Sequence, residues 1–165
     1  MRTGGKGGIN MVTMTTSRLD IVPIWERLND DLVLLADHVP EDKLDWSPNP
    51  ELWSFRRLFW HLAEAREQWM TRAINDGQPN IATNQTPNKE QITDLLRSTW
   101  ARISLTLADQ AKLDATYKDR WWDGAPLCTG HWVAFHLLEH DIHHRADMFL
   151  YLTLLGLDVP QAWTA

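Results

Sequence analysis

Four stretches of this chain carry apolar residues at three- and four-residue steps, separated by segments rich in proline, glycine and polar residues. That period belongs to amphipathic helices, and four such helices in one chain permit few folds. The first stretch covers roughly residues 18–38, with Ile21, Ile24, Trp25, Leu28, Leu32 and Leu35 on one stripe. Pro23 must lie in its first turn, because deeper in a helix it would remove a hydrogen bond, and Pro40 closes the segment. Pro48 and Pro50 forbid helix in the connector that follows. Ser54 can cap a second helix, roughly 54–75, with Phe55, Leu58, Leu62, Ala65, Trp69 and Ala73 inward, ended by Asp76-Gly77. Thr86 as cap and Pro87 at the first helical position open a third, roughly 87–109, striped by Ile92, Leu95, Leu96, Trp100, Ile103 and Leu107. Residues 110–128 read as irregular, with a short hairpin around Trp121 to Leu127. Thr129 caps a last helix, roughly 130–155, which stops at Gly156. These elements predict an all-α four-helix bundle.

A chain of 165 residues suits one domain with a self-sufficient core. Residues 18–165 form that expected domain, and 1–17 are expected to be a disordered segment or leader, with Met11 or Met14 as possible true starts. The ten tryptophans fall mostly inside helical patterns and read as core and interface residues. The net charge is −6 and no cluster of Lys and Arg stands out, so no nucleic-acid partner is indicated. No apolar run is long enough to span a membrane. Cys128 is the lone cysteine, which excludes an internal disulfide and fits a reducing cytoplasm.

The residues with chemistry are concentrated in Glu139-His140-Asp141-Ile142-His143-His144-Arg145. His140 and His144 are four apart, so on a helix their imidazoles stand one turn apart on one face. Two such nitrogens bind a divalent metal if a third ligand comes from elsewhere. The other histidine in a strongly apolar helical run is His61. On the wheel, His136, His140, His143, His144 and Asp147 share about a third of the last helix. Leu138, Ile142 and Phe149 lie opposite. Two readings follow. Either the histidines are a solvated face and those three apolar residues are core, or the histidines turn inward and the three face another helix or a second subunit. His and Asp, rather than Lys and Glu, favour the second reading.

With these residues in view, the chain resembles the DinB/YfiT-like superfamily. The resemblance rests on His136 to Pro160 (with His140, His144, Arg145, Gly156 and Pro160 in register), on Trp53-Ser54 before His61-Leu62, and on Leu44-Asp45-Trp46-Ser47-Pro48. It implies an up-down-down-up bundle, often dimeric. It also implies a divalent metal, commonly zinc or nickel, on residues matching His61, His140 and His144. Many relatives carry Gly then Gln or Glu after the Arg, where this chain has Ala146 and Asp147.

Three imidazoles leave a tetrahedral ion one open position. A low-molecular-weight thiol held there would be the nucleophilic thiolate, giving S-transferase or isomerase chemistry. Metal-bound water would instead give a hydrolase. A non-catalytic metal-binding stress-response protein is the third expectation. Asp147, Glu64 and Asp141 are candidate partners of the ligating rings, and Asp147 is also the candidate catalytic base. His136 and His143 are candidate proton shuttles or lining. Arg145 points away from the pair and reads as a structural ion pair. The expected setting is a cytoplasmic homodimer acting on a small-molecule substrate.

Overall fold

A computed structural model describes residues 20–74, 86–118 and 127–160. The expected disordered segment 1–17 and most of the expected hairpin, residues 121–126, lie outside them. Four long helices carry the fold: α1 (Val22–His38), α2 (Phe55–Arg72), α3 (Lys89–Leu107) and α5 (Gly130–Leu154). Between the last two lie a short helix, α4 (Gln110–Asp114), and a two-stranded antiparallel ribbon, β1 (Thr116–Lys118) and β2 (Leu127–Thr129). The hairpin therefore spans a wider segment than expected, and α4 sits in what read as irregular chain.

Local chemistry sets the ends. Pro23 occupies the first turn of α1, where a missing N–H is harmless. The Ser54 hydroxyl accepts from Arg57 N, and Thr129 accepts from Trp132 N. The third helix departs from expectation. Asn88, not Thr86, is its cap, paired reciprocally with Gln91 in a capping box, so Pro87 lies before the helix instead of at its first position. Gly156 ends α5 at φ 70°, a conformation that other residues rarely adopt. Gly130 has a packing reason: a Cβ there would stand 2.3 Å from the Lys112 carbonyl oxygen, so only glycine lets α4 press on the start of α5.

α1 and α2 each pack against both α3 and α5 and face one another across the diagonal. Pair contacts fix the directions. Trp25 and Asp31 of α1 meet Asp141 and Arg145 of α5, so these helices run parallel. Arg66 of α2 reaches Leu96 and Thr99, and Arg102 of α3 pairs with Glu67, so α2 and α3 are parallel as well. His61 meets His140 while Trp69, further along α2, meets Trp132, so α2 opposes α5. The order is up-down-down-up.

The core is split in two. One half gathers Leu32, Leu35, Phe55, Phe59, Leu62, Leu96, Met148 and Leu152. The other gathers Trp25, Leu28, Met70, Ile103, Val133 and Leu137. Between them lies a buried polar layer centred on Arg66 and Asp141, both fully enclosed. Arg66 Nη2 donates to Asp141 Oδ2 at 2.7 Å, and Trp25 Nε1 donates to the same oxygen at 2.7 Å. Arg66 Nη1 donates to Asn29 Oδ1, Thr99 Oγ1 and the Leu96 carbonyl. A buried charge is tolerated only when paired and hydrogen-bonded in this way.

The outer side of α5 mixes the two readings drawn from its wheel. Leu138 is buried in the core and Phe149 packs against it, whereas Ile142 is exposed together with Phe135, Leu150 and Leu154. The core seam of α5 runs through Val133, Leu137, Asp141, Met148 and Leu152, and the histidine line flanks it. None of the helices among the described residues is long and apolar enough to cross a membrane.

Candidate metal centre

α2 and α5 run antiparallel at the level of the buried polar layer, and there the two helices bring His61, His140 and His144 together. Each offers a ring nitrogen, and the three nitrogens lie within 4.8 Å of one another. His61 Nε2 and His140 Nε2 are 3.0 Å apart. The His144 ring stands edge-on to both, with centroids 5.2 Å from His61 and 4.6 Å from His140. All three rings are half-buried.

These residues fit a divalent ion. Zinc–imidazole bonds of about 2.0–2.1 Å in tetrahedral array put ligand nitrogens roughly 3.3 Å apart. The His61–His140 separation is within a few tenths of an ångström of that. A hydrogen bond between those two rings would satisfy only two of the three imidazoles; one cation satisfies all three. His144 Nδ1 lies 3.1 Å from Asp147 Oδ2, which leaves its Nε2 for the ion. His61 Nδ1 has Glu64 Oε2 at 3.8 Å, too long for a hydrogen bond. His140 Nδ1 is buried without a partner.

The rings are neutral at physiological pH. Burial, with the neighbouring His144, lowers His61 to about 4 and His140 to about 3. Burial also lowers His144, against an opposing pull from Asp147. Neutral imidazole is the metal-binding form, so protons compete little at neutral pH. The same shifts bear on the metal-free protein. In the unfolded chain these rings protonate near 6.5, whereas in the fold they resist it, so between the two values the unfolded state binds more protons. Stability contributed by the neutral rings is complete above about pH 6.5 and declines as pH falls toward 4. Thermal midpoints of the metal-free protein across that window are expected to fall, and to fall less steeply in His140→Ala. A slope identical in the two proteins would contradict this placement of the charge.

The other candidate residues divide cleanly. Asp147 Oδ2 accepts from His144 and lies 3.5 Å from the exposed His143 Nε2, so that oxygen orients the rings. His143, His144 and Asp147 form a second group of possible ligands, which shares His144 with the first. Asp141, expected as a partner of a ligating ring, is turned instead to Arg66 and Trp25. His136 is stacked flat on Trp132 at 5.1 Å, with its ring 6.5 Å from that of His140. Arg145 pairs with Asp31 at 2.7 Å, as its place on the wheel implied. Cys128 is half-buried in β2 and packs against the half-core that contains Trp25 and Leu137.

One residue without an expected part in the site lies against the histidines. Trp53, in the connector before α2, is 41% exposed, and its ring lies 4.6 Å from His61 and 6.2 Å from His144. The connector is held in place by Arg56, whose guanidinium grips both oxygens of Asp45 at 2.7 and 2.9 Å while its backbone N–H donates to Leu44 O. Trp69, Trp132 and His136 form an aromatic cluster further along the same two helices.

Fold and site define a class: an up-down-down-up helical bundle with three imidazoles gathered between its second and last long helices. The chain belongs to the DinB superfamily, whose family model matches residues 24–148. A DinB-like protein from Bacillus cereus superposes with a TM-score of 0.68 at 16% identity, covering 87% of this chain and 95% of that one. A DinB-like protein from Bacillus subtilis gives 0.66 at 20% identity, covering 86% and 95%. At these identities the likeness establishes the fold. No curated protein matches the sequence.

Proposed function

We propose that this protein is a divalent-metal-dependent enzyme of the DinB type, in which His61, His140 and His144 hold one zinc or nickel ion and a low-molecular-weight thiol is the activated partner in S-transferase or isomerase chemistry. The observation that carries this reading is the convergence of three neutral imidazoles from two helices on a space the size of one cation. An ion there would supply a position at which a thiol is held as thiolate. The protein's own residues do the rest. His144 is oriented by Asp147, which is a positioning residue in this scheme, since its oxygen is committed to the ring. Trp53 covers one side of the histidines and limits water. The aromatic cluster of Trp69 and Trp132, further along the same two helices, offers apolar surface to an electrophilic substrate.

The test is a binding and turnover screen on zinc-loaded and metal-stripped protein. Glutathione, cysteine and bacillithiol are the thiols, and p-nitrophenyl acetate is the hydrolytic probe. A thiol that binds the loaded protein and not the stripped one is the expected result. Ester turnover that needs zinc and no thiol would replace this reading with a hydrolase, and metal binding with neither would leave a non-catalytic metal-binding protein.

A homodimer is part of the proposal. Phe135, Ile142, Leu150 and Leu154 leave an apolar stripe open on α5, and a second copy would remove it from water. Light scattering at micromolar concentration is expected to give twice the 19.1 kDa chain mass. A single-chain mass would overturn this part alone.

A further inference from the structure

Among the described residues, the arginines packed into this bundle pair with carboxylates, with one exception. Arg66 holds Asp141, Arg145 holds Asp31, Arg102 holds Glu67 and Arg56 holds Asp45. Arg57 is half-buried, yet its Nη1 is enclosed without a hydrogen-bond partner, and no carboxylate among the described residues forms an ion pair with it. Its guanidinium carbon lies 4.5 Å from the Trp60 ring centre and 5.3 Å from that of Trp53. Trp53 is the indole that also contacts His61 and His144. Arg57 precedes His61 by four residues, one helical turn, so the two side chains share a face about 6 Å apart along the axis. Its charge is felt at His61, where it opposes protonation.

An arginine held by two aromatic faces has lost much of its rotamer freedom before any ligand arrives. Nη1 is the enclosed nitrogen, so a carboxylate would meet the planar guanidinium along its Nε–Nη2 edge, in two parallel hydrogen bonds. Glu64, the acid nearest His61, accepts instead from Gln68, and Asp147 is engaged by His144. Among the described residues, then, no acid is left to pair the cation beside the histidines.

We propose that Arg57, set by Trp53 and Trp60, is the anion-binding, specificity-determining residue of the three-histidine site. Ligands of that site then carry a carboxylate about one helical turn from the atom that meets the ion. The inference rests on the metal-dependent reading above and adds the chemical class of what enters.

The test uses cobalt(II)-loaded protein titrated with 3-mercaptopropionate and with its methyl ester, which differ in a single negative charge. Binding is followed in the near-ultraviolet sulfur-to-cobalt band. In the wild type the acid is expected to bind at least about tenfold more tightly than the ester. That preference is expected to vanish in Arg57→Gln and to persist in part in Arg57→Lys, with cobalt stoichiometry and helical circular dichroism unchanged. Equal affinity for acid and ester in the wild type, at full cobalt stoichiometry, overturns the anion site and leaves the metal centre standing. A preference that survives intact in Arg57→Gln overturns the assignment to Arg57. Failure of cobalt to bind the histidines overturns the metal reading and this inference with it.

Discussion

Asp141→Ala is expected to destabilise the protein by about 3–5 kcal/mol, the usual consequence of stranding a buried charge by removing its partner. Arg66 is fully enclosed and would lose its only carboxylate among the described residues, and Trp25 Nε1 would lose its acceptor. In a chain of this size that corresponds to a fall in melting temperature on the order of 10 °C. The double variant Arg66→Met/Asp141→Leu is expected to recover part of the loss, because it removes both charges together. It will not recover all of it, since Asn29, Thr99 and Trp25 keep polar atoms facing the layer. Urea denaturation of the three proteins checks this. A single variant within about 1 kcal/mol of wild type would show that the layer does not hold the two half-cores together.

His140→Ala and His61→Ala are expected to remove stoichiometric metal binding. Structural zinc sites with a full ligand set bind with about 10–16 kcal/mol, so one imidazole of the set accounts for roughly 3–4 kcal/mol. Affinity should therefore drop on the order of a hundred- to a thousandfold. Elemental analysis after dialysis against a weak chelator reads this as a fall from one ion per chain to none. His136→Ala is the control. Its ring is stacked on Trp132, and it should retain the ion. Full occupancy in either ligand variant would refute the assignment.

The bundle was legible because each long helix keeps its apolar period and carries a recognisable start or stop. Ser54, Thr129 and Gly156 act where the sequence placed them. Asn88 was missed because Thr86-Pro87 offers an equally good start two residues earlier, and only the reciprocal bonds with Gln91 choose between them. The histidine triad was legible from spacing on α5 and from one histidine in an apolar helix. Its neighbours were less so. Asp141 sits beside His140 in sequence but about 100° away on the helix, which directs it into the core and not toward the rings. Arg66 could have been flagged as a charge at a buried seam position, flanked by Leu62, Ala63 and Met70. Trp53 lies in a proline-bounded connector, where no periodicity indicates what a side chain covers. Its place over His61 depends on the clasp of Arg56 on Asp45, a contact between segments that sequence spacing does not encode. Arg57 looked like the ordinary polar border of an apolar stripe, and only the surrounding rings distinguish it.

Anomalous diffraction from crystals grown with zinc tests the central claim most directly. One peak per chain is expected, about 2.0–2.1 Å from one nitrogen each of His61, His140 and His144, with no fourth protein ligand. A peak seated between His143 and Asp147 instead, a fourth side chain closing the ion's coordination, or no peak among the three imidazoles would contradict it.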